Sequence, residues 1–184
     1  MTRIISGKAK GTNLASFKDG SVKPTSGRTK EALFSIVFSK GIRGSFLDLF
    51  SGSGQIGLEA ASRGFSPVVM VEKSKRAQKI IRENIARTKM SADVILIGQA
   101  AEQAVKKLAD SGAVFDIIYM DPPWVEAEKS FYQMQEQLAR IMTPDGLLVF
   151  EHEKRIKAPD TVTVLEHLQS CNYGSAMLSF YKRK

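Results

Sequence analysis

From residue 45 onward the chain alternates between two hydrophobic patterns. Short apolar runs at 45–50 (SFLDLF), 67–72 (PVVMVE), 93–98 (DVILIG), 114–120 (VFDIIYM) and 146–152 (GLLVFEH) read as strands. Segments 55–63, 74–88, 100–109 and 128–141 place apolar residues three and four apart, which predicts helices. Such alternation implies a parallel sheet covered on both faces. The rhythm changes near the end. TVTVLEHLQ and SAMLSFYKRK are both strand-like, and the SCNYG between them is too short for a helical crossover, so they should pair as an antiparallel hairpin. Upstream, PTSGRTKEALFSIVFSK predicts a turn and then a helix, capped by Thr25 or Ser26, with Ala32, Leu33, Ile36 and Val37 on one face. At the N-terminus, RIISG and GTNLAS flank the turn KAKG and predict a short β-hairpin. The expected fold class is α/β: an open, doubly wound sheet of seven strands with one reversed strand near its edge.

A length of 184 residues suits one domain spanning 1–184, in which 1–23 form the hairpin extension. At 43% hydrophobic and 25% charged residues, the chain can build a core without staples. The single cysteine, Cys171, excludes an internal disulfide and points to a reducing compartment. One Cys with His152 and His167 is a poor zinc set, so no metal is expected. The opening MTRIISGKAKGTN does not read as a secretion signal, and no window reaches the ~18–20 apolar residues of a membrane span. The expectation is a cytoplasmic, monomeric protein.

Charge changes the picture. Lys and Arg total 27 against 19 Asp and Glu, a net of +8. Residues 1–43 hold nine cations (Arg3, Lys8, Lys10, Lys18, Lys23, Arg28, Lys30, Lys40 and Arg43) against Asp19 and Glu31. A basic face at one end suits a polyanion such as nucleic acid.

The candidate chemistry sits where strands end. FLDLFSGSGQIGLEA places Gly52, Gly54 and Gly57 as G-x-G-x-x-G between a strand and a helix. That spacing alone fits several nucleotide ligands. Asp48, four residues before Gly52, would repel a pyrophosphate at the helix N-terminus but attract the sulfonium and ammonium cations of S-adenosylmethionine. Glu72 ends the second strand, 20 residues after Gly52, where a nucleoside fold places an acid on ribose hydroxyls; it could equally cap the next helix. Gln99 and Ala100 end the third strand where adenine would lie, and Gln99 either bonds the adenine amine or simply opens the next helix. Phe50, Ser51, Gly52, Ser53, Gly54 and Lys73 complete the expected cofactor lining.

The fourth strand ends in Asp121-Pro122-Pro123-Trp124. Two prolines stiffen the turn and remove its donors. The amine of a base is a poor nucleophile because its lone pair is delocalised into the ring. The Asp121 carboxylate and the Pro122 carbonyl can accept its two hydrogens and turn that lone pair toward a methyl group, a gain from orientation and preorganisation. Trp124 offers a stacking face, worth about 1–3 kcal/mol per base, to a base that is flipped out or unpaired.

DLFSGSGQIGLEA, VEKS and DPPW together resemble the class I S-adenosylmethionine-dependent methyltransferases that carry a [DN]-P-P-[YFW] motif. RIISGKAKG, KPTSGRTKEALFSIV, LLVFEHEK and YGSAMLSFYKRK are similar, nearly end to end, to the bacterial RsmD-type 16S ribosomal RNA (guanine-N2)-methyltransferases. The resemblance implies a Rossmann-like seven-stranded methyltransferase sheet and methyl transfer to guanine N2 in 16S rRNA, within the small subunit or an assembly intermediate. It further implies that Thr25 and Arg28 lie beside the methionine end of the cofactor and that the N-terminal hairpin, with Arg3, Lys8 and Lys10, grips RNA. Two positions depart from the family pattern: Trp124 stands where Tyr or Phe is usual, and Gln99 where Asp is usual. Competing readings keep the chemistry on other RNA, DNA or a protein glutamine, or make the chain a non-catalytic RNA binder or a nicotinamide-dependent oxidoreductase. No segment has room for a DNA target-recognition region; the intact Asp48, Glu72, Asp121 and Pro122 argue against a non-catalytic binder, and Asp48 with the terminal antiparallel pair argues against an oxidoreductase.

Overall fold

The computed structural model describes residues 2–17, 19, 25–159 and 163–184. Lys18 and Lys23 of the basic N-terminal set lie outside the described residues, as does part of the 1–23 extension. In chain order the elements are α1 (Gly27–Ser39), β1 (Phe46–Asp48), α2 (Gln55–Ser62), β2 (Val68–Val71), α3 (Lys75–Thr88), β3 (Val94–Ile97), α4 (Ala101–Asp110), β4 (Phe115–Met120), a 3-10 turn (Trp124–Glu126), α5 (Ala127–Arg140), β5 (Met142–Glu153), β6 (Leu165–Tyr173) and β7 (Ala176–Arg183). The strands form one seven-stranded sheet in the order β3-β2-β1-β4-β5-β7-β6. All neighbours from β3 to β5 are parallel, whereas β7 runs antiparallel to both β5 and β6. This is the predicted α/β sheet with one reversed strand beside its edge.

Two cores explain why the central strands are apolar throughout. On one face α1, α2 and α3 cover Phe46, Val68, Met70, Ile117, Tyr119 and Val149. On the other, α4 and α5 cover Leu47, Val69, Val71, Ile118, Met120, Leu148 and Phe150. Burying one such side chain contributes about 1.5–3 kcal/mol. Ser26 caps α1 by accepting from Thr29 N at 3.1 Å. The buried side of α1 is Thr29, Lys30, Leu33, Phe34 and Val37, rotated from the predicted stripe because Phe34 packs against Phe46 with ring centroids 6.0 Å apart. Gly57 lets α2 approach the sheet, since a Cβ there would lie 2.5 Å from Met70 Sδ.

Three expectations are refined. The N-terminal hairpin is reduced to a single antiparallel bridge, Arg3 to Asn13. Around that bridge the two arms exchange further backbone bonds, Ile4 N to Thr12 O at 3.0 Å, Gly11 N to Ile4 O at 2.9 Å and Leu14 N to Thr2 O at 2.8 Å, while α2 captures groups nearer the turn. Ile5 N and Ser6 N donate to the two oxygens of Glu59 at 2.8 and 3.0 Å, and Lys8 N donates to Ser62 O at 2.8 Å. The strand predicted at 146–152 begins at Met142, with a register shift between Phe115 and Ile117 of its partner β4. β6 starts at Leu165 and runs through most of the segment expected to be loop. Tyr173 pairs with Ala176 across a two-residue turn, Gly174-Ser175, in which Gly174 has φ +72°.

Candidate active site

Three acids stand in a row across the C-terminal ends of neighbouring parallel strands. β1 and β4 align Asp48 with Tyr119, and β4 and β5 align Met120 with Phe150. Because side chains alternate along a strand, Asp48, Asp121 and Glu151 all project to the face covered by α1, α2 and α3. Tyr119 lies on the same face, and its hydroxyl donates to Glu151 Oε2. Mutual repulsion marks this row. Burial raises the Asp121 carboxyl well above the usual carboxylate range, and the charges of Glu151 and Asp48 raise it further. Burial pushes Asp48 up to about 7, against the lowering effect of the Gly57 amide and with the charge of Glu72 adding to the rise.

A cavity of about 500 Å³ opens over Asp121 and Glu151 of this row. Its walls bring together Thr25, Phe50, Gly52, Glu72, Lys73, Gln99, Asp121, Pro122, Pro123 and Trp124 of the sequence-predicted set. Glu72 is tied in place by Gly52 N at 2.9 Å and Ser74 N at 2.7 Å, one on each carboxylate oxygen. It therefore braces the glycine loop while facing the cavity, and Ser74 rather than Glu72 caps α3, accepting from Ala77 N at 3.4 Å. Each oxygen keeps a second lone pair for a hydroxyl donor. The 3-10 turn places Trp124 at the rim beside Val125, which is 95% exposed.

Other predicted residues sit elsewhere. Asp48 does not line the cavity; it is buried beneath the glycine loop, with Oδ2 accepting from Gly57 N at 3.1 Å. Ser51, Ser53, Gly54 and Ala100 are also set back from the walls, and Ser51 donates to the Asp48 carbonyl at 2.9 Å. Arg28 lines a second cavity, about 550 Å³, with Arg3, Lys10, Lys30 and Glu31; the two cavities share Thr25 and Ser26. Lys8 is separate from both, paired with Asp93. Asp93 precedes β3, and Ser62, which accepts from Lys8 N, ends α2, so Lys8 lies at the opposite end of the parallel strands from the first cavity.

The walls also include residues that the sequence reasoning passed over: Glu151 from β5, Glu126 and Glu102, and Tyr173, Ser175 and Ala176 from the β6–β7 hairpin. An available signal for Glu151 was an acid closing the apolar run LLVFE, the same arrangement that singled out Glu72.

Two buried acceptors without partners test whether a cationic nucleoside fits. Asp48 Oδ1 and Gln99 Oε1 are shielded from solvent and bonded to nothing among the described residues. An acid row short of positive charge suits a sulfonium and an ammonium, and a vacant amide oxygen beside the third strand suits an adenine amine. The donor set matches S-adenosylmethionine. Among the described residues, no group of three or more His, Cys, Asp or Glu could hold a metal ion, and no helix is long and apolar enough to cross a membrane.

Residues 2–182 match the sequence model of the family described as "Conserved hypothetical protein 95". The chain belongs to this RsmD-type family of S-adenosylmethionine-dependent methyltransferases. It is 30% identical over 183 residues to YlbH of Bacillus subtilis, a candidate rRNA methyltransferase, covering 99% of each chain. It is 27% identical to the ribosomal RNA small subunit methyltransferase D of Haemophilus influenzae, over 89% of this chain and 86% of the relative. Among solved structures it resembles a hypothetical protein of Thermus thermophilus, with a TM-score of 0.84, 27% identity and 98% of both chains covered. In this RsmD-type chain, Asp121 and Glu151 of the acid row share one cavity with the D-P-P-W turn.

Proposed function

We propose that the protein transfers a methyl group to the exocyclic N2 amine of a guanine in 16S rRNA, within the small ribosomal subunit or a particle assembling into it. The observation that carries this reading is the convergence of Asp121, Pro122 and Trp124 with Glu72, Gln99 and Gly52 on one cavity. S-adenosylmethionine, when bound, supplies an electrophilic methyl group on a cationic sulfur. Glu72 would hold the ribose hydroxyls, Gln99 the adenine amine, and Thr25 would meet the methionine end.

The chain's own groups do the rest. Trp124 receives the face of the unstacked base. The Asp121 carboxylate and the Pro122 carbonyl accept the two amine hydrogens, so the lone pair points into the cavity. A cation beside the acid row favours the ionised form of Asp121. The methylated amine sheds one proton, and Asp121, a carboxyl whose affinity for protons is already raised, is placed to receive it. RNA backbone would follow the basic groove of Arg3, Lys10 and Arg28. The names of the relatives support rRNA as the substrate.

The test is transfer of labelled methyl groups to RNA and small subunits from a strain lacking the enzyme, followed by nucleoside identification. N2-methylguanosine is expected. Asp121→Ala should retain cofactor binding by calorimetry and lose transfer by about 10³-fold or more, the scale of lost orientation and preorganisation. A different methylated nucleoside, or equal loss of binding and transfer, would refute the assignment.

A further inference from the structure

The methyl-transfer reading gives Asp121 and Pro122 a role but leaves Glu151 without one. Glu151 is 5% exposed, walls the same cavity, and stands beside Asp121 in the parallel register of β4 and β5. Its Oε2 is held by the buried Tyr119 hydroxyl, which fixes the carboxylate in one orientation. A buried acid beside the amine-gripping acid constrains which base can enter. The Watson–Crick edge of guanine carries two adjacent donor groups, N1–H and the 2-amine. Adenine and cytosine each place their amine next to a ring nitrogen that is an acceptor. A second carboxylate facing that acceptor would leave two lone pairs opposed in a dry site, which is costly.

We propose that Glu151 accepts the N1–H of the target guanine while Asp121 and the Pro122 carbonyl hold its 2-amine, so that the Asp121–Glu151 pair selects the base by its two neighbouring donors. This rests on the guanine-N2 reading above and adds to it the residue that decides between bases. Tyr119 is a positioning residue: it acts on the base only through the Glu151 carboxylate.

The discriminating substrate is 2-aminopurine. It keeps the 2-amine, but its N1 is an acceptor. RNA carrying guanine or 2-aminopurine at the methylated position is offered both free and within reconstituted small subunits, and kcat/KM is compared for the native enzyme and Glu151→Gln. A site built to bond N1–H should favour guanine by about 100-fold or more in the native enzyme. In Glu151→Gln the amide can turn its NH2 toward the N1 of 2-aminopurine, while its oxygen keeps the Tyr119 bond. The preference should therefore shrink at least tenfold, partly through a gain on 2-aminopurine that a merely damaged site would not show. S-adenosylhomocysteine, which lacks the sulfonium charge, should still bind by calorimetry, which separates base selection from folding. If the native enzyme methylates guanine but treats 2-aminopurine equally, or if Glu151→Gln keeps the native ratio, Glu151 does not read N1 and the N2 assignment survives. If the native enzyme methylates neither purine in either setting, the N2 assignment itself fails and this inference with it.

Discussion

Asp48 carries a charge that the fold resists. Its carboxyl is displaced from 3.8 to about 7 chiefly by burial, and at 1% exposure solvent does little to soften the effect. Such a displacement corresponds to roughly 4 kcal/mol. For an acid whose native pKa is raised, the stabilising contribution is complete below the unfolded value and is lost as pH rises through the native value. The cofactor-free protein should therefore weaken between about pH 4 and pH 7 relative to Asp48→Asn, whose side chain stays neutral and can still accept from Gly57 N. At pH 8 the variant should melt roughly 8–16 °C higher, with the gap closing near pH 4, and its affinity for S-adenosylmethionine should fall sharply. Parallel melting curves across that range would show that Asp48 is not strained. The sequence revealed this residue's neighbourhood but not its depth, because spacing along a strand does not show that Gly57 N turns over the carboxylate. Glu151 escaped for a related reason: an acid at the end of an apolar run looks the same whether it faces solvent or a cavity.

At the scale of elements, the N-terminal segment is held by side chains of α2 and α3, among which Glu59 stands at the centre. Glu59 is fully buried on α2, accepts from Ile5 N, Ser6 N and Arg63 Nε (2.8 Å), and lies 3.7 Å from the buried Lys30 ammonium. Lys30 also donates to Arg3 O at 2.8 Å, so α1, α2 and the segment carrying Arg3 meet at this point. Glu59→Ala strands a buried cation and two amides, a loss of about 3–5 kcal/mol, and should lower the melting temperature by roughly 10 °C. Amide exchange at Ile5 and Ser6 should accelerate more than at β4. Unchanged exchange there would mean that the segment is anchored by other contacts. The central strands and helices were legible because they are apolar at fixed periods. The antiparallel pairing of the N-terminal hairpin was legible too, but not its docking, because the Glu59 and Ser62 that hold it lie some fifty residues away in the chain. β6 was displaced by about four residues for a different reason. As an outer strand it is polar on its open side, so SCNY resembles a loop until backbone pairing with β7 is seen.

For the whole molecule, net charge matters less than where it is free to act. The excess of +8 includes Lys8, whose charge is paired with Asp93. Arg3, Lys10 and Arg28 instead converge on one groove. Each phosphate contact contributes about 0.7–0.9 to the slope of log K against log salt. Arg3→Glu with Lys10→Glu should thus weaken RNA binding and flatten that slope by about 1.5, whereas Lys8→Glu should change it much less. Equal effects from the two variants would place the RNA track elsewhere.

The groove and the cofactor cavity share Thr25 and Ser26, the two residues that lead into α1 and belong to both linings. A shared partition makes the two occupants thermodynamic neighbours. Whatever free energy one contributes toward fixing those two residues is no longer required of the other, and the favour is returned in equal measure. With RNA in the groove and the methyl donor in the cavity, as proposed, the two should be coupled through two small residues that need perform no chemistry themselves.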